Sequence, residues 1–87
     1  MDNLTKKVKE PMDKSQYQCI KAAHNEVEAY VRDGYQVTMR CSAAGGWWMR
    51  FMKHPNGNSI LVEMSTGRTE LRVYLNGKLK KCQKFGA

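Results

Sequence analysis

The spacing of apolar residues along the chain changes once, at Gly34. Before it, apolar side chains recur every three or four positions, a spacing that predicts an amphipathic helix with one buried face. Asp13 is the predicted N-cap, and Gly34 is the predicted C-terminal stop of this helix. The predicted buried stripe consists of Ile20, Ala23, Val27, Tyr30 and Val31.

After Gly34 apolar and polar residues alternate, which predicts β-strands with one face buried. Turn signals divide this part of the chain: an Ala/Gly run before Trp47, then PNGN, STGR and NG. We therefore predict an α+β fold, with one N-terminal helix packed on a four- to five-stranded antiparallel β-meander in the order α-β-β-β-β-β. Residues 1–12 are predicted to form a flexible basic tail, and residues 13–87 a single domain.

The adjacent residues Trp47 and Trp48 must face opposite sides of their strand. Pairing Cys41 with Trp47 gives an unbroken apolar row, and a four-residue PNGN loop then sets Phe51 opposite Val62. This register predicts that Trp47 belongs to the core and that Trp48 lies on the outer face of the sheet.

The last hairpin is harder to fit to the same pattern. A two-residue turn at NG would point Lys78 and Lys80 toward the core without partners, which is unfavourable. A bulge at Gly77 shifts the pairing by one residue and sets Lys78 beside Tyr74 and Lys80 beside Arg72. The bulged form is therefore predicted, with both lysines on the outer face.

The net charge of +7 comes entirely from residues 35–87, which hold nine basic and two acidic side chains, whereas residues 1–34 are neutral. Such asymmetry favours an acidic or polyanionic partner for the C-terminal part. No apolar run approaches the roughly 20 residues that cross a bilayer, and no signal peptide is recognised. A cytoplasmic protein with no membrane partner is expected.

The sequence offers little for catalysis or metal binding. Three widely spaced cysteines form no CxxC pair, His24 is predicted to be a core residue, and His54 precedes a turn proline. Gly45 and Gly46 lack the context of a phosphate-binding loop. We predict no catalytic residues, no metal site, no cofactor and no enzymatic activity.

The predicted outer face instead combines aromatic and cationic side chains. Rings can stack on bases while lysine and arginine contact phosphates, so the leading hypothesis is a binding module for nucleic acid or a nucleoprotein complex. The predicted binding residues are Arg40, Trp48, Arg50, Met52, Arg72, Tyr74, Lys78 and Lys80.

The alternative function is a protein-docking inhibitor with Trp48, Met52 and Leu61 at the centre of its interface. Small inhibitors from phages and mobile elements, such as anti-CRISPR or other anti-defence proteins that block a host nucleic-acid-processing complex, are similar in size. Three structural interpretations of Trp48 also stay open. They are a stabilising cross-strand pair with Arg40, closure of the sheet into a barrel, and a homodimer formed through the open sheet face.

Overall fold

A computed structural model of the protein describes residues 14–86 as one helix followed by five strands of a single antiparallel sheet. The elements are α1 (Lys14–Arg32), β1 (Gln36–Ala43), β2 (Trp47–Lys53), β3 (Ser59–Ser65), β4 (Glu70–Leu75) and β5 (Lys78–Lys84). This confirms the predicted α+β fold. The strands lie side by side in chain order, so β1 and β5 are free edges and the sheet does not close into a barrel. The predicted tail of residues 1–12 and the predicted N-cap Asp13 lie outside the described residues.

The helix ends as predicted at Gly34, whose φ of 104° is readily adopted only by glycine. The N–H of Gly34 donates to the carbonyl of Val31, and the N–H of Tyr35 donates to the carbonyl of Tyr30, each at 3.0 Å. These two bonds make a Schellman motif and satisfy carbonyls that the helix end would leave unpaired. The chain is thereby turned directly into β1.

The core lies between α1 and one face of the sheet. We call this face the helix side and the opposite face the open face. Cys19, Ala23 and Tyr30 are the buried helix residues, whereas the predicted stripe member Val31 is 49% exposed. The sheet contributes Met52, Ile60, Val62, Met64, Leu71 and Val73, each at most 2% exposed. The predicted inward faces of β3 and β4 are therefore confirmed.

The predicted orientation of β2 is wrong. Met52 pairs with Ile60 and Trp48 pairs with Met64, so the even-numbered residues of β2 face the helix. The cause is the β2–β3 loop, in which the N–H of His54 donates to the carbonyl of Asn58 at 2.9 Å. Only residues 55–57 remain between this pair, one fewer than predicted. A one-residue change in register exchanges the two faces of a strand.

A β-bulge in β1 corrects the other part of this prediction. Val37 pairs with Met52 and Met39 pairs with Phe51, which leaves Thr38 as the extra residue. Val37 therefore faces the core, but Met39 and Cys41 lie on the open face instead of the predicted inward face. The alternating pattern of the sequence does not show this switch, because a bulge changes the side of every later residue in the strand.

The last hairpin also differs from its prediction. Asn76 and Gly77 both have positive φ and form a two-residue turn that pairs Leu75 with Lys78. The bulge follows this turn, since Tyr74 pairs with Leu79 while Val73 pairs with Lys81. The lysines therefore lie on the helix side instead of the predicted outer face, and the hydroxyl of Tyr30 on the helix gives Lys80 a polar partner at 2.9 Å.

Candidate nucleic-acid and partner-binding surfaces

The open face carries an apolar row that crosses all five strands. Each member is the Cα partner of the next one across the sheet, and the row consists of Met39, Phe51, Leu61, Tyr74 and Leu79. The outer members Met39 and Leu79 are 51% and 57% exposed, and the three between them are half-buried. Among residues 14–86 the single helix lies on the other side, so the apolar row faces outward.

Polar groups of the open face already have partners within the chain. The indole N–H of Trp47 donates to Glu63 at 2.9 Å, and the Arg72 Nε donates to Glu70 at 2.8 Å. The Cys82 thiol also donates to Glu70, at 3.2 Å, and this bond is the largest cause of the lowered pKa of Glu70, ahead of Arg72. The open face therefore combines an apolar row with carboxylates that are hydrogen-bonded within the chain.

A basic shelf lies on the helix side, where β1 and β2 extend beyond α1. We define it as Arg40, Trp48 and Arg50 of the sheet together with His24 of the helix. Arg40 and Arg50 are direct cross-strand partners, and the guanidinium carbon of Arg50 lies 4.4 Å from the centre of the Trp48 ring. The ring of Trp48 also lies beside the His24 ring, at 5.7 Å between centroids. One Arg50 N–H donates to the carbonyl of Met49 at 2.9 Å, which helps to fix the side chain across the indole.

The two arginines of the basic shelf have no carboxylate partner within residues 14–86. The two ion pairs in this part of the chain join Arg72 to Glu70 and Lys81 to Glu26. Like charges placed directly opposite each other on neighbouring strands are unfavourable. The Arg40–Arg50 pair therefore leaves two uncompensated positive charges on one surface.

The lysines of β5 lie on the helix side but flank the other side of α1. The Lys80 ammonium donates to the hydroxyl of Tyr30 at 2.9 Å and lies 5.1 Å from the ring centre. This hydrogen bond is the main reason that the pKa of Lys80 is raised. Lys81 pairs with Glu26 at 3.0 Å. Lys78 is exposed at the turn and makes no ion pair within the described part of the chain.

The eight predicted binding residues consequently do not form one surface. They divide into Arg40, Trp48 and Arg50 on the basic shelf, Lys78 and Lys80 beyond the helix, Arg72 and Tyr74 on the open face, and Met52 in the core. Placing Arg40, Trp48, Arg50, Met52, Lys78 and Lys80 on the outer face was wrong, because the three-residue β2–β3 loop and the two-residue NG turn put their side chains on the helix side.

Sequence reasoning also missed several surface residues. His24 was predicted to be buried but is exposed beside Trp48, and Met39 and Phe51 were assigned to the core but belong to the apolar row. Counting PNG as a three-residue hairpin loop with glycine last would have placed Phe51 correctly, because this is a common loop type. The bulge that exposes Met39 leaves no such signal.

Reactive groups do not assemble into a recognisable centre. Within residues 14–86, no group of three or more His, Cys, Asp or Glu side chains is placed to hold a metal ion. Burial raises the pKa of the Cys19 thiol, and the nearby charge of Glu70 adds to this effect, so Cys19 is held in its neutral form. The absence of enzymatic activity and of a cofactor stays a prediction.

No match is found when the chain is compared with models of protein families, with curated proteins or with solved structures. In the described residues, α1 does not have the length and apolar character needed to cross a bilayer. The cytoplasmic location stays a prediction.

Proposed function

We propose that this protein is a small non-enzymatic module that binds single-stranded nucleic acid through the basic shelf. The observation that carries the proposal is the uncompensated Arg40–Arg50 pair beside Trp48. A phosphate group is the anion that such a pair fits best, because each guanidinium offers several N–H donors in a planar fork.

The stacked geometry adds a reason to expect bases as well as phosphates. The guanidinium carbon of Arg50 lies 4.4 Å from the centre of the Trp48 ring, and a base can stack on a guanidinium plane as it does on an aromatic side chain. Bases in a single strand have accessible faces, whereas bases in a duplex are already stacked on each other. Trp48 would therefore serve mainly as the support that orients Arg50.

The remaining charge would act over a longer range. The chain carries a net charge of +7, which attracts a polyanion from a distance, an effect that salt reduces. On the far side of the helix, Lys80 and Lys81 are held by Tyr30 and Glu26, and Lys78 is exposed at the turn. These lysines would contribute to the long-range attraction of the nucleic acid and would not form a defined contact with it.

The docking-inhibitor alternative loses the interface centre that was predicted for it. Met52 is fully buried, Trp48 faces the helix, and Leu61 lies on the open face, so the three residues cannot contact one partner together. Inhibition of a host complex stays a prediction, but the interface residues predicted for it do not lie on one surface.

The proposal is tested by fluorescence anisotropy with a labelled single-stranded oligonucleotide over a series of salt concentrations. In the Arg40→Ala/Arg50→Ala variant, we expect affinity at low salt to fall by about tenfold or more. We also expect the slope of log affinity against log salt to become shallower by about 1.4, since each phosphate contact to a single strand contributes about 0.7.

A charge-matched control separates a defined site from general attraction. Lys53→Ala/Lys84→Ala also removes two positive charges, but from exposed residues of the open face, and should weaken binding by less than about threefold. An equal loss in the two double variants would refute the shelf as the binding site. Absence of binding by the wild-type protein at low salt would refute the proposed function itself.

A further inference from the structure

The apolar row raises a question that nucleic-acid binding does not answer, namely what covers the open face. On the helix side, the sheet residues under α1 are at most 2% exposed. On the open face, Met39 and Leu79 are more than half exposed, and Phe51, Leu61 and Tyr74 are only half-buried. An exposed apolar surface that crosses a whole sheet is typical of an interaction site.

We propose that a second copy of this chain covers the open face, so that two sheets pack face to face with the two helices outside. The proposal concerns the opposite side of the sheet from the basic shelf and does not depend on nucleic-acid binding. In such a dimer the apolar rows of the two copies would be buried against each other, as the inner faces of two sheets are in a β-sandwich.

The order of residues in the apolar row favours a second copy of the chain, rather than an unrelated protein, as the partner. Leu61 lies on the middle strand, flanked by the aromatic residues Phe51 and Tyr74 and then by the aliphatic residues Met39 and Leu79. The order aliphatic, aromatic, Leu, aromatic, aliphatic is nearly the same in both directions. A two-fold axis that runs along the strands, between the two sheets and over Leu61, would set Phe51 against Tyr74 of the second copy. An interface between identical chains requires this kind of self-complementary patch.

The area of the open face is sufficient for such a pair. Five strands spaced about 4.8 Å apart, each about 20 Å long, give a flat area of about 480 Å² per copy. Two copies together would bury about 1,000 Å² before side-chain relief is counted, which reaches the lower range for specific interfaces.

The distribution of charge is also compatible with pairing. Arg40 and Arg50 lie on the helix side and would remain outside the sandwich, as would the Lys80 and Lys81 side chains that contact α1. Glu63 and Glu70 of the open face accept hydrogen bonds from Trp47, Cys82 and Arg72 of their own chain, so these carboxylates would keep their donors under a covering sheet. The exposed cations Lys53 and Lys84 are the last residues of β2 and β5, so they lie at the ends of the sheet.

The test is the mass in solution of the full chain, measured by light scattering after gel filtration at about 50 μM. The wild-type protein should have twice the chain mass of 10.0 kDa. Met39→Lys/Leu79→Lys should have the mass of one chain, because burying four added ammonium groups in the apolar interface should raise the dimer dissociation constant by about a hundredfold or more. Both substituted positions are more than half exposed, so the fold should persist, as circular dichroism would verify.

The matched control places the same two charges on the helix. Tyr17 and Val31 are 59% and 49% exposed apolar residues of α1, and Tyr17→Lys/Val31→Lys should keep the dimer mass. A wild-type mass of 10.0 kDa under these conditions would overturn the proposal and leave the open face to a different partner. A dimer that Met39→Lys/Leu79→Lys leaves intact would also overturn it, since pairing would then use another surface.

Discussion

The two faces of the sheet are built from the same strands but have opposite properties. The helix side holds nearly the whole buried core and, where β1 and β2 extend past α1, a pair of arginines without carboxylate partners. The open face has an apolar row at its centre and carboxylates that are bonded within the chain. The comparison shows that the paired arginines Arg40 and Arg50 lie beside the helix and not on the face that lacks one.

The difference between the two faces is clearest in β2, because both sides of this strand carry large side chains. Trp48 and Met52 face the helix, while Trp47, Met49 and Phe51 face outward. In a strand of this kind the apolar pattern cannot decide which side is buried, since either side could form a core. The length of the adjoining loop decides it instead.

The largest effect on this comparison is expected from two methionines of β2 that face opposite sides. Met52→Ala removes a fully buried side chain and should lower the free energy of unfolding by about 2 to 4 kcal/mol. Met49→Ala, on the open face, should cost less than about 1 kcal/mol, because Met49 is only partly buried. Denaturant unfolding followed by circular dichroism measures both values.

Both methionine variants should be made in the Met39→Lys/Leu79→Lys chain, so that pairing between copies does not add to the stability of the open face. A larger cost for Met49→Ala than for Met52→Ala would reverse the assignment of the two faces. Equal costs would show that both sides of β2 are buried in a single chain.

A smaller, pH-dependent effect is expected at Glu70, at the polar end of the open face. Because the pKa of Glu70 is lowered in the folded protein, its carboxylate adds stability above its ordinary pKa of 4.5, and this stability is lost as the pH falls through the folded value. Glu70→Gln should therefore melt at a lower temperature than the wild type near pH 7, and the difference should shrink as the pH is lowered below 4.5.

Glu28→Gln is the control for this experiment, since it removes an exposed helix carboxylate that forms no ion pair in the described residues. Its melting temperature should stay closer to that of the wild type across the same pH range. A difference at Glu70 that grows with falling pH would contradict the lowered pKa.

Much of the fold could be predicted from the sequence because local signals agree with it. The three- and four-residue spacing, followed by Gly34, gave the position and end of α1, and the alternating residues of β3 and β4 gave their buried faces. In these elements only one side is apolar enough to form a core, so the pattern alone decides which side is buried.

The candidate sites were predicted less well, because the side of the sheet on which they lie depends on three places where the backbone register changes by one residue. These are the three-residue loop after β2, the bulge at Thr38 and the NG turn, which has two residues and no bulge at Gly77. Each one changes which side of the sheet the following residues face. The individual residues Arg40, Trp48 and Arg50 were recognised as a group, but the side of the sheet on which they lie was not.

The orientation of β2 underlies both proposals, and nuclear Overhauser effects in the wild-type protein test it most directly. The ring protons of Trp48 should show contacts to His24 of the helix, whose ring centroid is 5.7 Å away, and the methyl group of Met52 should show contacts to Ile60. Contacts from Trp47 or Phe51 to α1 of the same chain would contradict this orientation, and with it both the basic shelf and the apolar row.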